Sequence, residues 1–457
     1  MKLFQQVCVG VFLLPAAPLW SQVDNTPTQP VPAVTGPQNT ADQMLTPPPV
    51  SGQSFPTSST SEERSNYLRG GMAFTSAYTD NALGSVNGHP VSDVSYSVAP
   101  FIALDETTPR LHVTSTYAPG FTFYQRESSL NETDQNASIN FQYRLSPHVT
   151  FSARDGFQKS SNVFNQPDLA AAGAVSGGTQ EANFSIIAPI ADRLSNTGNV
   201  GITSQFAANG MIGASGTFTN LHYPDQAEVP GLFDSSSQAG SVFYSLRISK
   251  MHYIGVTYEY QRLLSYPTEG QNETQTHAIL FFYTLYPTSR FSVSFFGGPQ
   301  YSDTVQPPLP SLPVQVPAAR AWTPAAGASL SWQARLTNIA VSYSHIISGG
   351  GGLIGAVHMD SASASVRQQM TRSLSGSLAG GYVQNDVLAS ALAGNINGHT
   401  VSGTASLQQE FGQHINLQLG YTRLHQDYSS VAVLAATPNT NREFVSISYQ
   451  FSRPLGR

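Results

Sequence analysis

Apolar and polar residues alternate one by one along most of the chain from Tyr67 onward. In "YIGVTYEYQ", Ile254, Val256, Tyr258 and Tyr260 share one face, while Gly255, Thr257, Glu259 and Gln261 share the other. "ASINFQYRL" sets Ile139, Phe141, Tyr143 and Leu145 against Asn140, Gln142 and Arg144. "HINLQLGYT" does the same with Ile415, Leu417, Leu419 and Tyr421 against Asn416, Gln418, Gly420 and Thr422. A period of two belongs to a strand with two different faces. The runs extend over about 12–15 residues, against about five or six for an ordinary strand.

Short turns punctuate the runs near Asp105, Ser146, Ala208, Lys250, Pro287, Arg335, Thr371 and Gly412. Their spacing of about 40 residues holds one hairpin of two long strands per interval. Carried from Tyr67 to Arg453, the pattern predicts about 18 strands, with 16 as the alternative count. A propeller blade also takes about 40–45 residues, but it needs four strands and three turns in that length. Each interval here offers two long runs, one tight turn and one loose loop, so the propeller is the poorer reading.

Composition changes the picture in one respect. Only 11% of the 457 residues are charged, where soluble domains average about 25%, yet the mean hydropathy is −0.15. Ser, Thr, Gln, Asn and Gly fill the difference, as expected of a surface that is neither strongly charged nor fully buried. The net charge of −6 argues against a nucleic-acid partner. Residues 1–22 read as an export signal: Lys2 precedes the short apolar core "VCVGVFLLPAAPLW". The single cysteine, Cys8, lies in that segment, so the mature chain is expected to have no disulfide. Residues 23–66 are rich in Pro, Ser, Thr and Gln and read as a disordered periplasmic linker.

No apolar run is long enough for a membrane-spanning helix. Backbone polar groups in lipid must pair internally, which leaves a closed barrel as the other spanning structure. Alternating segments, tight turns on one side and longer loops on the other are the marks of such a barrel. The fold class expected is therefore all-β, a transmembrane antiparallel up-and-down β-barrel over residues 67–453, with a short periplasmic tail at 454–457. Tyr78, Tyr124, Tyr143, Tyr286, Tyr301, Tyr382 and Tyr428, near run ends, are candidates for an interfacial aromatic girdle.

With these features the chain resembles the porin-like β-barrel proteins of the Gram-negative outer membrane. "SYQF" is similar to the aromatic-ended last strand of that class, with Val445, Ile447, Tyr449 and Phe451 as its lipid-facing residues. Six residues follow Phe451, a departure from the usual ending. The resemblance implies an outer-membrane location after export, recognition by the barrel-assembly machinery, and contact with outer-membrane lipid and lipopolysaccharide. "SRPLGR" is expected to overhang, kept from further pairing by Pro454.

The second strand face should line the lumen. Arg144, Arg247, Glu259, Arg367 and Glu410 are the charged pore-lining candidates, and isolated charges in a wet lumen bias ion passage. Barrels of 16–18 strands leave an aqueous channel. The segment 160–195 is the candidate constriction loop, with Asp168, Glu181, Asp192 and Arg193 as its charged members; an external surface loop is the competing reading. "GGGLIG" matches a dinucleotide fingerprint only formally, because it joins two strands. No catalytic motif, cofactor site or metal-ligand spacing stands out, so no enzyme activity is expected. The expected function is passive diffusion of small hydrophilic solutes. A non-conducting structural or surface-binding barrel is the alternative, with an outer-membrane hydrolase behind it. Solute selectivity and homo-oligomerisation stay open.

Overall fold

The computed structural model describes residues 66–83, 90–162, 190–226, 232–267, 271–288, 290–305, 319–349, 355–388, 397–428 and 439–455. They form eighteen strands: β1 (Tyr67–Thr79), β2 (Asp93–Thr107), β3 (Leu111–Tyr124), β4 (Glu132–Ser146), β5 (Val149–Asn162), β6 (Ile190–Ala207), β7 (Gly210–His222), β8 (Asp234–Arg247), β9 (His252–Tyr266), β10 (Asn272–Thr288), β11 (Phe291–Val305), β12 (Ala319–Gln333), β13 (Thr337–Gly349), β14 (Ala356–Gln369), β15 (Leu374–Val387), β16 (Asn397–Phe411), β17 (Ile415–Tyr428) and β18 (Asn439–Pro454). Each strand pairs antiparallel with the next, and β18 pairs back onto β1, so the sheet closes on itself. No described helix is long and apolar enough to cross a membrane.

The turns at one end are short. Residues 147–148, 208–209 and 412–414, for example, join successive strands where the sequence places its tight turns. The first turn falls after Thr107, slightly beyond Asp105. All the longer connections lie at the opposite end. Expectation and structure agree on fold class and strand number, and they differ in two places. β18 continues through Pro454, which pairs with Tyr67, and Leu455 N–H donates to Asn66 O at 2.9 Å. "SRP" is therefore part of the closing ladder: a strand end tolerates proline, whose missing N–H leaves its carbonyl free to accept. Asp192 and Arg193 lie within strand β6, not in a loop. Asp168, Glu181 and the segments 1–22 and 23–65 lie outside the described residues.

The two faces of each strand have opposite characters. Val445 (44%), Ile447 (51%), Tyr449 (52%) and Phe451 (45%) are large apolar residues left exposed along β18. Phe281, Phe295, Leu378 and Val200 do the same on other strands. Such a belt is unfavourable against water and suited to lipid. On β12, Trp332 and Trp322 both point outward. Ten residues at about 3.3 Å, tilted by about 40°, separate them by about 25 Å in height, the usual thickness of an apolar barrel band. The girdle candidates divide. Tyr78, Tyr301 and Tyr382 face outward, whereas Tyr124 and Tyr428 are buried on the inner face and Tyr286 packs on Tyr253.

The inner face is built largely from cross-strand pairs. Ser342 with Ser363, Ser344 with Ser361 and Ser377 with Ser406 stand opposite each other at 2.7 Å, and Ser215 with Ser241 at 2.8 Å. A second device recurs. Phe101, Phe243, Phe282, Phe296, Tyr428 and Phe444 each stand opposite a glycine, Gly71, Gly213, Gly255, Gly327, Gly398 and Gly420 respectively. The ring lies over the space where a glycine Cβ would be: at Gly255 that atom would come within 2.2 Å of Phe282 Cζ. Cross-strand rings shielding glycines pin register in curved sheets.

Candidate functional site

The candidate site is the lumen, and its two halves differ. Toward the short-turn end the inward side chains reach solvent: Arg144, Arg154, Arg367 and Glu410 are exposed. Arg144, Arg247, Arg367 and Glu410 all sit within a few residues of the short turns. Arg247 is tied down there, its Nε donating to Asn209 Oδ1 at 3.1 Å and its Nη2 to Ala208 O at 2.7 Å. Glu259 stands apart, midway up β9 between Ser241 and Ala278. The structure thus does not bring the five pore-lining candidates together. Two inward arginines missing from that set are Arg69, opposite Ala103, and Arg154, opposite Asn140. Their strand parity marks both as inward, but neither run alternates cleanly enough to show it.

Toward the long-connection end the inward residues become buried. Charge at this level comes from β18, β4 and β6. Arg193 (2%), Arg442 (6%) and Asp134 (1%) are almost fully enclosed. Both guanidinium groups lie within electrostatic reach of Asp134 and Glu132. Among the described residues, Nε and Nη2 of Arg193 have no hydrogen-bond partner, a costly condition for a buried cation unless neighbouring carboxylates compensate it. Asp192, by contrast, is on the outward face and accepts from Ser161 Oγ. Asp93 is occupied with the backbone, accepting from Val94 N–H at 2.7 Å and Glu127 N–H at 2.9 Å. On the β10–β15 side the same level is apolar. Ala278, Leu280, Phe282, Phe296, Ala325, Val357, Met359 and Val383 belong to one packed cluster.

Among the described residues, the β13–β14 hairpin narrows the lumen here. β13 pairs with β12 only from Asn338 to His345, while β12 itself continues beside β11 as far as Ala319. Beyond His345 the β13 arm parts from β12, while β14 stays paired with β15 as far as Val357. Ile347 N–H donates to the side-chain Oε1 of Gln300 on β11 at 3.3 Å, and Gly355 N–H to Ser265 Oγ on β9 at 3.1 Å. Ile347, Ala356 and Leu263 pack together, with Leu388 against them. Segment 160–195 was the expected constriction; its residues 163–189 lie outside the described residues, and Arg193 reaches the narrow level from a strand.

Among the described residues no group of three or more His, Cys, Asp or Glu is placed to hold a metal ion. No protein-family model matches the chain, and no curated protein matches it in sequence. In fold it is similar to the crystal structure of Acinetobacter baumannii OccAB4, at 9% identity over 86% of this chain and 100% of that one, with a TM-score of 0.39. It is similar to Pseudomonas aeruginosa OpdQ at 9% identity over 84% and 98%, TM-score 0.39. It is also similar to Pseudomonas aeruginosa OccK2 (OpdF) at 8% identity over 85% and 98%, TM-score 0.40. At these values nothing about function is carried across. The chain's own geometry, an even-stranded closed barrel with short turns at one end and an apolar outer band, is that of an outer-membrane β-barrel.

Proposed function

We propose that this protein is an outer-membrane channel through which small hydrophilic solutes diffuse passively, wide on the periplasmic side and narrowed on the external side. The short-turn end then faces the periplasm, as in other barrels of this kind. The observation that carries the reading is the solvent-exposed polar face of the lower lumen, with its hydroxyl pairs and the exposed Arg144 and Arg154. Lower inward charges are Arg69, Arg144, Arg154, Arg247 and Arg367 against Asp105, Glu259 and Glu410, and this excess of cations favours anions. Purified protein in planar bilayers is expected to give discrete conductance steps and a reversal potential on the anion side in a KCl gradient. Arg154→Gln is expected to shift that potential toward cations. A wild-type protein that inserts yet gives no steps removes the reading and leaves the non-conducting barrel, which the packed apolar cluster of the outer half would then explain.

A further inference from the structure

A carboxyl group faces outward inside the apolar belt. Asp155 on β5 pairs with Ile139 of β4 on one side and with Gly198 of β6 on the other. It shares the outward parity of Ile139 and Phe157, both exposed, and is itself exposed. It stands six residues up the strand from Val149, about 15 Å along the barrel axis at the usual rise and tilt, within a band about 25 Å tall. Other outward charges lie at the level of the tyrosine girdle. Glu443 stands opposite Tyr421 on one side and Tyr78 on the other, and Tyr343 Oη donates to Asp360 Oδ1 at 2.8 Å. Asp155 instead has Phe157 above it and Phe151 below it on the same face. Its two carboxylate oxygens accept from Asn196 Nδ2, each at 3.3 Å. An ionisable side chain at this depth is costly against lipid and points to a functional contact.

Amide side chains stand beside and above it on the same face. Asn196 on β6 is opposite Asn220 on β7, and Gln238 on β8 is opposite Phe218. Asn220 and Gln238 are exposed, and among the described residues their side chains have no hydrogen-bond partner. Lipid chains satisfy neither a carboxylate nor an amide. Gly198 and Gly216 share the face and carry no side chain, which lets a second wall approach closely. A carboxylate accepts, while an amide both donates and accepts, so this set of groups complements itself. Self-complementarity is what a contact between identical faces requires. We propose that the outward face of β5–β8 is the contact face of a dimer: a second copy of this chain, related by a two-fold axis along the membrane normal, brings its amide N–H groups to Asp155 and receives the same in return. The contact lies outside the lumen and does not depend on whether the lumen conducts.

Two measurements test it, both on the full chain carrying Cys8→Ser. In sedimentation equilibrium in density-matched detergent micelles, the refolded protein is expected at twice the monomer mass. Asp155→Leu/Asn196→Leu replaces the polar pair with side chains suited to lipid. A pair that served only the barrel wall would be missed in unfolding, with a lower denaturant midpoint and no change of mass. As a contact between copies, its loss is expected to keep or raise the midpoint while the dimer dissociation constant rises about tenfold or more. Should that variant fold poorly, cross-linking reads the same face in an otherwise intact wall. Gly216→Cys adds a Cβ whose nearest neighbour is Ala239 O at 3.8 Å, and Gly403→Cys, outward on β16 across the barrel, adds one with nothing within 4 Å. Under mild oxidation the first is expected to give a covalent dimer and the second is not. A wild-type chain that sediments as a monomer, a dimer undisturbed by Asp155→Leu/Asn196→Leu, or equal cross-linking at the two glycines overturns the proposal. None of these readouts uses conductance, so the channel reading stands or falls by its own measurement.

Discussion

Two glycines on neighbouring strands, Gly255 facing the lumen and Gly240 facing outward, differ sharply in what they tolerate. A Cβ at Gly255 would meet both Phe282 Cζ and the backbone oxygen of Tyr244 at 2.2 Å, so neither a ring flip nor a rotamer change relieves it. A Cβ at Gly240, on the neighbouring strand, would meet nothing within 4 Å. Overpacking of the first kind costs about 1–3 kcal/mol. Gly255→Ala is expected to lower the denaturant midpoint of the folded barrel in detergent clearly, and Gly240→Ala to leave it almost unchanged; equal effects would refute the shielding role of the rings. This pairing of ring and glycine was invisible in the sequence. Alternation shows which face Phe282 and Gly255 occupy, but their apposition depends on register between strands. The outward set Val445, Ile447, Tyr449 and Phe451 was legible because lipid exposure requires nothing beyond parity.

At the level of elements, strand count and turn positions were readable for a similar reason. A turn of two or three residues joins strands whose alternation breaks off on either side of it, so Ser146, Ala208 and Gly412 announce themselves. The constriction was not readable. Among the described residues the β13–β14 hairpin narrows the lumen, and its path depends on Gln300 and Ser265 receiving its end; most of segment 160–195 lies outside the described residues. His345 and Asp360 stand directly opposite each other at the point of departure, joined by His345 Nδ1 and Asp360 Oδ1 at 2.9 Å. Replacing residues 346–359 with an Asn-Gly turn closes the hairpin on that pair in the turn geometry such strands prefer. Single-channel conductance is expected to rise, and larger sugars to pass in liposome-swelling assays. Unchanged conductance would show that the hairpin does not set the narrowest point.

For the whole molecule, everything depends on one closing ladder, in which Tyr67–Thr79 of β1 meets Arg442–Pro454 of β18 without interruption. The chain's final strand does two separable things there. Phe451 lays its ring over Gly70, whose Cβ would come within 2.6 Å of Phe451 Cζ, and presents an aromatic edge to lipid. Ser452, Arg453 and Pro454 contribute the last rungs, against Arg69, Leu68 and Tyr67, and Leu455 adds its bond to Asn66. Removing 452–457 deletes several backbone hydrogen bonds, each worth roughly 0.5–1.5 kcal/mol. Phe451→Ala keeps the ladder and loses a ring contact worth about 1 kcal/mol. Equilibrium unfolding of the refolded protein should therefore be hurt more by the truncation. Assembly in cells poses a different demand, because the strand end must be recognised before the ladder exists. There the aromatic residue counts most, and the heat-modifiable folded form is expected to fall further for Phe451→Ala than for the truncation. If both measurements rank the two variants the same way, the last strand has a single role, and the closing ladder alone accounts for it.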